Sequence, residues 1–145
     1  MLIVRGCVFP EELLYDVDNS VWLRPERDGT ATLGLTSLAA ALLGEATRFT
    51  PQKVGRDVQP NRAAATVEGA KAEMPLQSAV RGKIVAVNET VQAKPGLINR
   101  DPYGAGWLLR LEADNWEDVA EALLTGADVA SAFEVEMERY GYEGR

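Results

Sequence analysis

Histidine is absent from this 145-residue chain, and cysteine occurs once, as Cys7. No intrachain disulfide can form, no imidazole can orient a nucleophile, and zinc lacks its usual ligand set. Several catalytic designs are thereby excluded, and neither catalytic nor metal-binding residues are expected. Cys7 fits a small buried residue of the N-terminal segment and receives no role. Long apolar runs are also missing: nothing approaches the roughly 18 to 20 residues that span a bilayer, and residues 1–6 lack a basic region followed by a long apolar stretch. The expectation is a cytoplasmic protein with no membrane partner. No cluster of Lys and Arg exists either, since 22 acidic residues face 15 basic ones for a formal charge of −7. That balance disfavours nucleic acid and points to partners with basic surfaces.

What is present is a rhythm of short apolar stretches punctuated by Gly, Pro, Asn and Asp, which predicts many short antiparallel strands around an all-β core. Strands are expected at residues 21–24, 31–35, 46–50, 63–68, 73–79, 83–88 and 107–112, with Asp28-Gly29 as a hairpin turn. Residues 36–43 predict a helix, with Thr36 or Ser37 at its start and Gly44 just past its end. Two amphipathic helices are expected near the C-terminus, one over 116–124 capped by Asp114 or Asn115, the other from after Gly126 towards Tyr140. The tail 141–145, with two glycines, should fray or dock on a partner. A single domain over 1–145 follows, with an N-terminal segment at 1–16, a β core at 17–112 and C-terminal helices at 114–140. The stretches 54–58 and 81–85 share a loose pattern and could be related positions in two halves of a sandwich.

The segment Ala65-Thr66-Val67-Glu68-Gly69-Ala70-Lys71-Ala72-Glu73-Met74-Pro75-Leu76 carries the chemistry. Strand-like residues flank a turn of small residues with one lysine at its tip. Gly69 and Ala70 leave that amine uncrowded, as an enzyme requires if it is to grip the hairpin and acylate the side chain. By itself such a lysine is usually a solvated turn residue.

Its surroundings identify it further. The chain resembles the glycine cleavage H-protein family from about Tyr15 to Leu124, through Trp22-Leu23-Arg24, Gly34-Leu35-Thr36, Leu43-Gly44-Glu45, Lys53-Val54-Gly55, Ser78-Ala79-Val80-Arg81-Gly82 and Val87-Asn88-Glu89. The resemblance continues through Pro95-Gly96-Leu97-Ile98-Asn99 and the highly specific block Asp101-Pro102-Tyr103-Gly104-Ala105-Gly106-Trp107-Leu108. It implies a barrel-sandwich hybrid of two antiparallel sheets with flanking helices. It also implies a lipoyl group covalently attached to Lys71, with Glu68, three residues before, as a recognition element for lipoylation. Gly82, eleven residues after, would support the hairpin geometry. An arm built on the lysine stem would reach about 14 Å, from about ten single bonds at covalent lengths. The dithiolane would supply a thiol–disulfide couple, so the carrier needs neither His nor Cys. Biotin-carrier domains are similar in architecture but resemble Ala-Met-Lys-Met at the modified site, unlike Gly69-Ala70-Lys71-Ala72.

Two departures bear on cargo. Where the family has a His-Glu pair before the tryptophan, this chain has Ser20-Val21, and where it often has Asp four residues past the lysine, this chain has Pro75. A cationic aminomethyl cargo would need carboxylates to offset its desolvation, and Glu11, Glu12, Asp16 or Glu73 are candidates to compensate. The lipoate-binding proteins of heterodisulfide-reductase-like sulfur oxidation resemble the chain at Arg5-Gly6-Cys7, Phe9-Pro10, the Phe49-Thr50-Pro51-Gln52-Lys53 segment, Gly55-Arg56 and the tail beyond Phe133. That branch implies an arm moving sulfur intermediates to a heterodisulfide-reductase-like complex, loaded by a lipoate-protein ligase or lipoyl transferase. The alternative is a glycine cleavage carrier serving glycine decarboxylase, aminomethyltransferase and dihydrolipoamide dehydrogenase. A non-lipoylated scaffold of the same fold is the second alternative.

Overall fold

The computed structural model describes residues 1–126 and 128–144. Its strands and helices run β1 (Leu2–Val4), β2 (Cys7–Phe9), β3 (Leu14–Asp16), β4 (Val21–Pro25), β5 (Thr30–Leu35), α1 (Ser37–Leu43), β6 (Ala46–Pro51), β7 (Asp57–Val58) and β8 (Ala65–Gly69). There follow β9 (Glu73–Leu76), β10 (Gly82–Val87), α2 (Glu89–Ala93), α3 (Leu97–Arg100), β11 (Leu109–Ala113), α4 (Trp116–Ala122) and α5 (Asp128–Tyr140). A six-stranded antiparallel sheet, ordered β3-β4-β5-β11-β10-β7, faces a three-stranded sheet, β6-β8-β9, and β1-β2 form a separate hairpin. The barrel-sandwich architecture of two principal antiparallel sheets with flanking and C-terminal helices is thus observed.

Inward-facing residues alternate along the strands and meet between the sheets. Val67 and Leu76 of the small sheet, and Leu23, Leu33 and Leu109 of the large one, are almost fully buried in one cluster. At the β4–β5 pairing Trp22 lies opposite Gly34, and a Cβ there would come within 2.6 Å of the indole ring. Gly34 therefore makes room for Trp22, whose Nε1 donates to the Pro102 carbonyl at 2.9 Å and fixes the 101–106 loop.

A second cluster lies outside the sandwich. Phe9 stacks on Phe133 with ring centroids 4.2 Å apart, and Tyr15 meets both edge-on. Val4, Leu13, Trp22, Leu38, Val129 and Met137 also belong to it. Burial drives the Tyr15 phenol pKa strongly upward, and its hydroxyl donates to the Pro10 carbonyl at 2.6 Å. Residues 1–16 are hence structural: β3 belongs to the large sheet, and β1-β2 are clamped beneath α5. Cys7 is buried in this cluster.

Several expectations are corrected. The strand expected at 73–79 stops at Leu76, the helix expected at 116–124 stops at Ala122, and α2 and α3 are helices where no element was expected. The expected start of the last helix at residue 127 lies outside the described residues, as does residue 145. Residues 54–58 and 81–85 contain direct antiparallel partners, Gly82 opposite Val58 and Lys83 opposite Asp57. Of the described tail residues, Tyr142 packs against the second cluster, whereas a frayed or partner-docked tail was expected. No helix among the described residues is long and apolar enough to cross a membrane.

Because Phe133 fastens α5 to the N-terminal hairpin, Phe133→Ala should lower the unfolding free energy by about 3–5 kcal/mol. Urea unfolding would show this as a lower midpoint, and a loss below about 1 kcal/mol would mean that α5 is docked by other contacts.

Candidate functional site

Strands β8 and β9 pair in register from Ala65 opposite Leu76 to Glu68 opposite Glu73, leaving Gly69-Ala70-Lys71-Ala72 as the connection. Gly69 N–H closes the turn on the Ala72 carbonyl at 2.8 Å. The tip then docks on the C-terminal end of α1, where helix carbonyls have no intrahelical donors. Lys71 N–H donates to the Leu43 carbonyl at 3.0 Å, and Ala70 N–H to the Glu45 carbonyl at 3.0 Å. A Cβ on Gly69 would sit 2.3 Å from that Leu43 oxygen, so the approach requires glycine. Gly44, which caps α1 at φ +76°, plays a second part: a Cβ there would lie 2.9 Å from Lys71 Cγ.

Asn99 locks the same joint from α3. Its Nδ2 donates to the Gly44 carbonyl at 2.7 Å and the Ala40 carbonyl at 3.3 Å, while its Oδ1 accepts from Ala46 N–H at 2.8 Å. Asn88 does a similar service elsewhere, capping α2 and donating to the Ala105 and Trp107 carbonyls. With the turn's backbone held on both sides, the Lys71 side chain is exposed. A cleft of about 380 Å³ opens beside it, walled by Ala40, Ala41 and Gly44 of the α1 region, by Glu45 and Asn99, and by Tyr142 and Gly144 of the tail. The fit to a covalently attached acyl group is good: the amine is free to be modified, and the space that a side chain at Gly44 would fill is left to the lysine stem.

Glu68 is half-buried on β8, between Arg48 across β6 and Glu73 across β9. Gly82 is not part of this hairpin. It begins β10, where a Cβ would approach the Glu112 carbonyl to 2.1 Å, so glycine is needed for close contact with β11 rather than for turn geometry. The glycines that shape the Lys71 turn are Gly69 and Gly44, and from sequence Leu43-Gly44-Glu45 reads as a helix end and a family-like block, not as a wall of that turn. Among the described residues, no group of three or more His, Cys, Asp or Glu is placed to hold a metal ion.

The positions that depart in sequence are now located. Val21 is fully buried opposite Leu35, and Pro75 lines a second cleft of about 190 Å³ with Asp18, Leu42, Met74 and Tyr140 among its neighbours. Of the candidate compensating carboxylates, Asp16 is committed to its own loop, accepting from Asn19 and from Ala79 N–H. Asp18, which the sequence did not single out, lines that cleft with Pro75, and Glu73 is exposed two residues before Pro75 on β9.

Asn99→Ala removes three hydrogen bonds from the α1 joint and should cost about 1–3 kcal/mol, the usual range for unsatisfied buried groups. Amide exchange at Ala70 and Lys71 should accelerate with it. Unchanged exchange there would show that the turn is held without Asn99.

Residues 13–136 match the family described as glycine cleavage H-protein. Glycine cleavage system H protein 5 of Aquifex aeolicus is 41% identical over 132 residues, covering 88% of each chain. The H protein of Aeromonas hydrophila is 40% identical over 114 residues, 79% of this chain and 88% of that one. A crystal structure of a glycine cleavage system H protein from Mycobacterium marinum superposes with a TM-score of 0.74 at 30% identity, over 85% of this chain and 97% of that one. The chain therefore belongs to the glycine cleavage H-protein family, whose members carry lipoate covalently on a lysine and act as carriers rather than catalysts.

Proposed function

We propose that Lys71 bears the lipoyl group and that the chain serves as the lipoyl carrier of a glycine cleavage system, presenting its arm in turn to glycine decarboxylase, aminomethyltransferase and dihydrolipoamide dehydrogenase. The observation that carries this reading is an exposed lysine at the tip of a hairpin whose adjacent amides are pinned to the end of α1. When bound, lipoate supplies a two-electron thiol–disulfide couple. The chain's own part is mechanical: Gly69, Gly44 and Asn99 fix the stem so that motion is confined to the side chain and what it bears. Glu68 offers a carboxylate at one side of the turn, where a lipoate-protein ligase or lipoyl transferase can read it by a charge-assisted hydrogen bond. The similarity to glycine cleavage H proteins over most of both chains supports this reading, and Asp18 beside Pro75 supplies a carboxylate for a cationic aminomethyl cargo.

A second reading, transport of sulfur intermediates to a heterodisulfide-reductase-like complex, draws support from Val21 and Pro75. Neither presents an acceptor side chain where the family often has carboxylates, and sulfur bound to a dithiol requires none.

Protein co-expressed with its lipoylating enzyme should gain the mass of one lipoyl group, mapped to the Lys71 peptide. Lys71→Arg should abolish the gain while leaving thermal unfolding almost unchanged, since the side chain is exposed. An unmodified Lys71 would favour the scaffold reading. Glu68→Gln should lower kcat/KM of lipoylation about tenfold, the rate equivalent of about 1.4 kcal/mol. The lipoylated chain should support release of carbon dioxide from glycine by glycine decarboxylase. No release, with arm thiols instead turned over by a heterodisulfide-reductase-like complex, would replace the first reading with the second.

A further inference from the structure

We propose that the cavity between the end of β3 and the end of α4 is a docking pocket for an arginine side chain of a partner enzyme. Its use by enzymes that handle the arm rests on the carrier reading of Lys71, whereas arginine binding itself does not.

Charge is distributed unevenly along the chain. Residues 112–145 hold ten acidic and two basic side chains, a formal −8, whereas residues 1–111 hold twelve and thirteen, a formal +1. The net charge therefore resides around α4 and α5. On α4, Glu117, Asp118 and Glu121 are all exposed. A cationic partner surface is drawn to this side and an anionic one is repelled.

At the end of α4 the surface is concave. A cavity of about 520 Å³ opens there, larger than either cleft described above and within the range of small-molecule sites, about 300–1,000 Å³. Ala122 and Leu124 line it from the end of α4, Asp16, Asp18 and Asn19 from the end of β3 and the turn after it, and Asn61 from the loop before β8.

The polar wall is held in place before anything binds. Asp16 accepts from Asn19 N–H at 3.3 Å, from Asn19 Nδ2 at 3.0 Å and from Ala79 N–H at 3.2 Å. Asn19 Nδ2 also reaches Asn61 Oδ1 at 3.3 Å, and Asn19 Oδ1 accepts from Gln77 Nε2 at 3.1 Å. Asn61 adopts φ +58°, a left-handed conformation that asparagine tolerates. Tyr15 and Leu124 exchange backbone hydrogen bonds, which fix the end of α4 against β3. A wall ordered in advance lowers the entropy lost on binding.

The lining selects the occupant. Asp16 and Asp18 bring two negative charges, and among the described residues neither has a cation within ion-pair distance. Arg62, exposed beside Asn61, is the one cation next in sequence to a lining residue, and Glu121, beside Ala122, offsets it. Carboxylate and amide oxygens are acceptors, while Val17, Ala79 and Leu124 offer aliphatic surface. A long side chain with an apolar stem and a cationic head matches both parts. Arginine fits better than lysine, because its planar fork donates in several directions and is more weakly hydrated. Arginines that fill pockets are also frequent anchors of protein interfaces. Asp18 and Asn19 line the cleft beside Pro75 as well, so an anchored partner sits next to the hairpin that carries Lys71.

The test titrates N-acetylarginine amide into the unlipoylated chain while backbone amide shifts are recorded, with N-acetylcitrulline amide as the neutral isostere. Arginine should give saturable shifts at Asn19, Asn61, Ala79 and Leu124, and citrulline should bind about tenfold more weakly, the factor for about 1.4 kcal/mol. Ala122→Arg, at an exposed position, places a guanidinium at the rim and should weaken arginine binding by a similar factor. Val135→Arg adds the same charge on α5 outside the lining and should change binding less than about twofold, because salt screens exposed charges. Should Ala122→Arg fail to fold, Asn61→Gly removes a lining acceptor where the backbone suits glycine, and should weaken binding about fivefold. Equal weakening by Ala122→Arg and Val135→Arg would overturn the pocket, as would equal binding of arginine and citrulline. In the lipoylated chain, Ala122→Arg should act on KM rather than kcat for at least one enzyme that handles the arm, and unchanged KM for all of them would overturn the docking role. A chain that never acquires a lipoyl group would remove the carrier reading instead, and the arginine titration would still decide the pocket.

Discussion

The joint between the C-terminal end of α1 and the tip of the β8–β9 hairpin is the constraint on which the site depends. A helix end leaves carbonyls without donors, and a hairpin tip leaves amides without acceptors. Here each deficit satisfies the other, with Lys71 and Ala70 N–H groups meeting the Leu43 and Glu45 carbonyls. Asn99 supplies the remaining donors and ties in the start of β6. The consequence is that the backbone of a surface turn behaves like part of the core, while the side chain at its tip faces water.

Much of this was legible in the sequence, and the reasons differ by element. The bounds of α1 follow from local chemistry: Thr36 Oγ1 accepts from Ala39 N–H at 3.2 Å, and Gly44 ends the helix at a φ of +76° that favours glycine. The β4–β5 hairpin follows from Asp28-Gly29, with Gly29 at φ +87°. Lys71 stands out in the sequence only through the family-like blocks around it, because a lysine among small turn residues is by itself usually just solvated. Short elements were not: β1, β2 and β3 have three residues each, and α2 and α3 only five and four, too few for a hydrophobic period to appear. The packed tail was missed because one tyrosine among glycines carries no periodic signal. Its place depends on Arg5, at the far end of the sequence. Gly82 was misassigned for a related reason, since conformational freedom and lack of a side chain are separate properties of glycine, and sequence spacing does not distinguish them.

The two positions that depart from the family pattern have different surroundings. Val21 turned inward makes the β4–β5 face more apolar, and Pro75 presents no acceptor. From a different loop, Asp18 reaches the cleft beside Pro75. The same cleft receives Tyr140 from α5, which brings the C-terminal helix to one side of the Lys71 hairpin while the tail reaches the other.

The contacts between residues 5–15 and residues 133–142 also bear on the order of events during synthesis. The hairpin bearing Lys71 pairs residues close in sequence, and the α1 end that receives it precedes it. Loop closure over such short spans is fast, whereas contacts of high sequence separation form late. Phe9 has no aromatic partner from α5, and Arg5 no carbonyl at Tyr142, until those distant residues have been made. The turn at Lys71 can therefore form before the contacts that hold α5 in place.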